Sequence, residues 1–267
     1  MPLFKRDGLI FNYVDIGDGV PFVFQHGMGG DVHQPTGIYI PQNERLLAFD
    51  CRGHGGTTPL GDVNKLSFAD FADDLIALLD YLKIQQAVIG GISMGAGVAL
   101  NTAIRYPHRA SALVLSRPAW LWQAAPDNLA VYTLIAKLLR MEGPETGLAS
   151  FIKSDIYHAI QVESPDAANS LVGQFTNPRA LETVDKLERM PNDAPAHSEM
   201  ELRKIQMPVL VMASRQDPIH PFDFGMRLSD VIPGARFEEL TPKSMSQERH
   251  RADVQRFVSS FISQLRL

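Results

Sequence analysis

Apolar positions along the chain fall into two alternating rhythms. Short apolar runs at Leu9–Val14, Pro21–Gln25, Arg45–Phe49, Ala87–Ile89 and Leu113–Leu115 read as strands. Between them, Phe68, Phe71, Leu75, Leu78, Leu79 and Leu82 recur at offsets of three and four, with acids on the opposite face. That spacing predicts an amphipathic helix. A small-residue segment from Ala96 to Ile104 reads as a second helix, ending before Pro107. Strands that alternate with helices imply a parallel sheet with crossover helices.

The rhythm changes after Arg117-Pro118. From Trp120 to about Lys204 only helical stretches occur: Leu129–Met141, Gly147–Ile160, Ala167–Phe175 and Ala180–Met190. The alternation resumes with a strand at Pro208–Ala213, a helix from about Phe222 to Val231, a strand at Arg236–Leu240 and a closing helix to Leu265. The expected organisation is an α/β core from residues 1–118 and 205–267, with a helical cap inserted at 119–204. No internal repeat or low-complexity segment interrupts it.

Composition narrows the function classes. A chain of 267 residues suits one large domain, or a core plus an insertion, and 45% hydrophobic residues can fill a substantial core. Net charge is −5 with both signs mixed along the chain, which argues against nucleic acid and anionic membrane as partners. One cysteine, Cys51, excludes an intrachain disulfide and fits a reducing compartment. Residues Met1–Asp7 carry charge where a signal peptide needs apolar residues. No apolar run reaches the roughly 18–20 residues of a membrane span. The expectation is a cytoplasmic protein that meets a small-molecule substrate, with neither nucleic acid nor membrane as a partner.

The densest chemical signal is Gly91-Ile92-Ser93-Met94-Gly95, placed where a strand turns into a helix. A serine on so tight a turn brings its neighbours against the adjoining strand and helix, where only glycine fits. The helix that follows directs free amides and a positive dipole end toward the serine. This is the G-x-S-x-G elbow of a serine nucleophile. The other glycine motifs fail. Leu100 stands where a dinucleotide fingerprint needs Gly or Ala, and no Lys-Ser or Lys-Thr pair completes a phosphate loop. No histidine pair has metal-ligand spacing, so neither metal nor cofactor is expected.

With His26-Gly27-Met28-Gly29 after one strand and Asp50-Cys51-Arg52-Gly53-His54-Gly55 after the next, the chain resembles the α/β-hydrolase superfamily, outside the helical insert. The resemblance implies Ser93 as nucleophile, and the amides of Met94 and of Met28 or its neighbour as the oxyanion hole. It implies Asp217, in Ser214-Arg215-Gln216-Asp217-Pro218, as the acid that orients a histidine. The loop after the last strand, where the family carries that histidine, reads Thr241-Pro242-Lys243-Ser244-Met245-Ser246 and has none.

His250 is the first histidine beyond it. With Val254, Phe257 and Phe261 it lies on one helical face, behind a capping box at Ser244-x-x-Gln247. His250 is therefore read as the base, displaced from loop to helix, with Lys243 as the alternative. His26 and His54 are read as loop braces, and His220 as a loop-packing residue that could line the pocket. Trp120 and Arg117 are candidates for the substrate pocket, and internal pairing is the other reading of Arg117. The expected activity is hydrolysis of a small, apolar ester, lactone or related acyl compound through a Ser93–His250–Asp217 triad. The rival expectation is a weak or inert member of the fold that binds a small ligand. The missing loop histidine keeps that rival open.

Overall fold

The computed structural model describes residues 1–265. Eight strands form one sheet: β1 (Leu3–Arg6), β2 (Leu9–Ile16), β3 (Val20–Gln25), β4 (Glu44–Phe49), β5 (Ala87–Ile92), β6 (Ala110–Ser116), β7 (Val209–Ala213) and β8 (Arg236–Glu239). Their order is β1-β2-β4-β3-β5-β6-β7-β8. β1 and β2 pair antiparallel, as do β2 and β4, and every other neighbouring pair is parallel. The first strand lies in a segment that sequence reading took only for its charge. Phe4 alone is buried in it, and a four-residue edge strand carries too little period-two pattern to stand out.

The central strands are apolar on both faces because both faces are covered. On one side Val23, Leu47, Ile89, Leu113 and Val211 pack with α2 (Phe68–Tyr81) and α3 (Met94–Arg105). On the other, Phe22, Phe24, Val88, Val114 and Leu210 meet Val254, Phe257, Val258 and Phe261 of the closing helix Gln247–Ser263. Ser67 caps α2 by accepting from the Asp70 amide at 3.0 Å.

A short helix α1 (His33–Ile38) follows β3, in a stretch without apolar periodicity. Between β6 and β7 come α4 (Ala130–Phe151), α5 (Asp155–Glu163), α6 (Pro165–Thr176), α7 (Lys186–Arg189) and α8 (Glu199–Leu202). The stretch expected as one helix over Gly147–Ile160 is divided. Gly143 (φ 77°) kinks α4 ahead of Pro144, and Ser154 starts α5 by accepting from the Tyr157 amide. Helix α9 (Phe222–Val231) precedes β8, and α10 is Gln247–Ser263. Its cap is Ser246, which accepts from the Arg249 amide at 3.2 Å, rather than Ser244. Ser244 instead donates to Gln216 Oε1 at 2.9 Å, so the chain enters the helix two residues later than the capping box implied.

Candidate active site

Ser93 stands between the end of β5 and the start of α3 with φ 58° and ψ −113°, a conformation costly for a residue with a side chain. Its surroundings enforce that bend. The Ser93 amide donates to the Ser116 carbonyl of β6 at 2.9 Å, and its own carbonyl accepts from Ala96 and Gly97. A Cβ on Gly91 would lie 2.2 Å from the Gly95 carbonyl carbon, and one on Gly95 would lie 2.3 Å from the Gln25 carbonyl oxygen. The glycines of the motif are therefore demanded by backbone crowding, as the sequence implied.

A cavity of about 50 Å³ opens at this bend, lined among others by Gly27, Met28, Ser93, Arg117, His220 and Lys243. Met94 opens α3, so its amide has no carbonyl one turn back to bind. The His26–Gly30 loop is built to a fixed shape. His26 Nε2 accepts from the Cys51 amide at 3.1 Å, His54 Nε2 meets the Met28 carbonyl at 3.0 Å, and Gly27 donates to Gln34 Oε1 at 2.6 Å. Asp50 accepts from Val32, Gly56 and Asn12 at 2.7–2.8 Å. Burial pushes both His26 and His54 below the ordinary imidazole range. Both residues act as loop braces, as expected from their positions.

Asp217 follows β7 and is 8% exposed. Its Oδ2 accepts from Arg117 Nε at 2.8 Å, and its Oδ1 lies 2.8 Å from His220 Nδ1. Burial alone would raise this carboxyl, but Arg117 and His220 more than offset it and hold it well below the usual carboxylate range. Arg117 is thus paired internally, and its NH2 also sits 3.0 Å from His220 Nδ1. With Nδ1 turned to Asp217, the opposite ring edge, Nε2, has no protein partner among the described residues. Burial, then Arg117, lowers the His220 pKa against the pull of Asp217.

His250 is placed elsewhere. It is fully buried on α10, as the helical spacing predicts, and its Nδ1 donates to the Thr241 carbonyl at 2.8 Å. The ring lines a second cavity of about 220 Å³ with His33, Gln247 and Arg251. Gln34, Asp166 and Lys243 line both cavities and so stand between His250 and Ser93. Burial and the Arg117 charge push His250 down to about 4. Ser93, Met28, Arg117 and His220 line one cavity, with Asp217 bonded to Arg117 and His220, whereas His250 lines the neighbouring one.

Lys243 does line the Ser93 cavity, 3.9 Å from Asp166, with its pKa lowered by burial and Arg117 to about 8. Trp120 is buried, packs edge-on against Phe68 at 5.1 Å and is not among the residues lining the cavity. His220, read from the sequence as a loop-packing residue that could line the pocket, does line it and meets Asp217. Its signal was the Asp217-Pro218-Ile219-His220 spacing: a turn at proline returns the fourth residue to the first, and the His220 amide donates to the Asp217 carbonyl at 3.1 Å. Among the described residues there is no group of His, Cys, Asp and Glu arranged to hold a metal ion.

Comparison with known proteins adds three findings. Residues 20–243 match the family described as the alpha/beta hydrolase fold. Among curated proteins, the chain is 28% identical to a 2-hydroxymuconate semialdehyde hydrolase of Pseudomonas putida, over 95% of this chain and 90% of the relative. It is also 28% identical to a 3-oxoadipate enol-lactonase of Acinetobacter baylyi, over 88% of this chain and 86% of that one. Among solved structures, the enol-lactonase of Burkholderia xenovorans superposes with a TM-score of 0.75 at 21% identity, over 98% of this chain and all of the other.

Proposed function

Because the chain belongs to the alpha/beta hydrolase fold family, we propose that it hydrolyses a small acyl substrate, an ester or lactone, through an acyl-enzyme on Ser93. The observation that carries this reading is the strained backbone of Ser93, at the start of α3, in the wall of a cavity that Gly27 and Met28 also line. Ser93 Oγ attacks the substrate carbonyl. The amides of Met28 and Met94 receive the oxyanion, where preaimed donors act most strongly because they need no reorganisation. The leaving alcohol departs, and water then attacks the acyl-enzyme. Asp217 is the carboxylate that orients the base. The helices of residues 119–204 act as a cap over the cavity, since Tyr132 of α4 and Asp166, Ala167, Ser170 and Leu171 of α6 complete its lining. The relatives' hydrolysis of small substrates supports this reading.

The test is turnover of short-chain p-nitrophenyl esters and lactones, together with labelling by a fluorophosphonate. Ser93→Ala is expected to lower turnover by about 10³-fold or more and to abolish the label. A wild-type protein that neither turns over these compounds nor takes the label would instead be a ligand-binding member of the fold.

A further inference from the structure

We infer that His220 is the general base of this site, supplied by the turn after β7 that also carries the acid, instead of by the loop after the last strand or by α10. The inference rests on the hydrolase reading above. Three observations support it. The first is co-location: Ser93 and His220 line one cavity, while His250 lines another across Gln34, Asp166 and Lys243. The second is orientation. His220 Nδ1 lies 2.8 Å from Asp217 Oδ1 and 3.0 Å from Arg117 Nη2; in the tautomer whose Nδ1–H donates to the carboxylate, Nε2, which has no protein partner among the described residues, keeps its lone pair free to take a proton. The third is a fixed turn. The His220 amide donates to the Asp217 carbonyl, Asn128 donates to the Ile219 carbonyl at 2.7 Å, and Gln216 takes a positive φ of 55°. These contacts fix the ring in the wall of the cavity that Ser93 also lines.

Proton and electron balance closes on these residues. Ser93 Oγ–H gives its proton to His220 Nε2 as the Oγ–carbonyl bond forms. The imidazolium returns that proton to the leaving oxygen as the bond to it breaks. Water next gives a proton to Nε2 while its oxygen bonds the acyl carbon, and the same proton restores the Ser93 hydroxyl as the acid product leaves. Asp217 stays ionised throughout and stabilises each imidazolium. Arg117 keeps the carboxylate in place through its second oxygen. The arrangement is compact because acid and base share one four-residue turn. The loop that lacks a histidine is left to Lys243 and to Ser244, which ties itself to Gln216.

The charged and titratable groups around the ring are Asp217 on its own turn, Arg117 after β6, Lys243 in the loop after β8, Tyr132 on α4 and Asp166 on α6. The base acts in its neutral form, and burial lowers its pKa, so the acid limb of kcat/KM should fall below the ordinary imidazole value of 6.5.

The experiment is the pH profile of p-nitrophenyl ester hydrolysis for wild type, His220→Gln, His250→Gln and Lys243→Met, each checked by thermal melting. His220→Gln is expected to lose about 10²–10⁴-fold in kcat/KM and to lose the acid limb, and added imidazole should restore part of the rate to His220→Gly. His250→Gln should lose less than about tenfold and keep the limb, and Lys243→Met, which alters the cavity wall, should keep the limb whatever its rate, results that do not depend on how the His220 variants fold. Loss of the limb in His250→Gln or in Lys243→Met overturns the assignment. Full activity in His220→Gln overturns it too. In either case wild-type labelling of Ser93 leaves the hydrolase reading intact, whereas absence of labelling and turnover removes both.

Discussion

At the scale of single residues, the site is governed by crowding and by unequal burial. Gly95 has no room for a methyl group, because the Gln25 carbonyl oxygen would lie 2.3 Å from it. Gly95→Ala is therefore expected to cost about 1–3 kcal/mol, read as a lower urea midpoint, and to cut turnover more than it cuts stability, since the bend it displaces carries Ser93. His250 is buried as a neutral ring whose pKa falls to about 4 from 6.5. Between those two values the unfolded chain binds more protons than the folded one, so stability falls as pH drops from about 6.5 toward 4. Urea titrations over that window should show the decline in wild type and a shallower one in His250→Gln. The opposite slope would mean that the ring is charged in the fold.

At the scale of elements, α10 closes the sheet by burying Val254, Phe257, Val258 and Phe261 against β3, β5, β6 and β7. Its start depends on one hydroxyl, since Ser246 accepts from the Arg249 amide. Ser246→Ala is expected to cost about 1 kcal/mol with an unchanged m value, measured by urea unfolding. Ser244→Ala should cost less, because its hydroxyl serves Gln216 and caps nothing. Local breakers set the helix bounds in the insertion: Ser154 divides the Gly147–Ile160 stretch that hydrophobic spacing joined, and Gly143, with φ 77°, falls in the gap that spacing left between Met141 and Gly147.

At the scale of the whole molecule, one buried ion network ties three distant segments. Arg52, 1% exposed, pairs through Nε and NH2 with Asp74 of α2 at 2.6 and 2.7 Å, and its NH2 also reaches Asp7 in the turn between β1 and β2. Arg6 joins Asp74 at 3.0 Å. Removing one partner leaves a charge buried without compensation. Asp74→Ala is therefore expected to cost about 3–5 kcal/mol in thermal or urea unfolding, while Asp74→Asn, which keeps hydrogen-bond acceptance, should cost less. Arg45–Asp15, with both side chains partly exposed, should matter far less.

Strand and helix alternation, the sharp bend at Ser93, the place of Asp217 after β7 and the run of helices between β6 and β7 were legible in the chain itself. Each is encoded locally: by apolar period, by glycines that backbone crowding requires, or by position after a strand. Which histidine serves the serine was not encoded that way. His250 preserved the expected order along the chain, and its burial on α10 was readable from its spacing to Val254 and Phe257. Only the tertiary structure places His250 in the lining of a second cavity, while the turn at Pro218 brings His220 onto Asp217 and into the lining of the cavity at Ser93. Periodicity states which side of an element is buried, and distances between elements decide what that side meets.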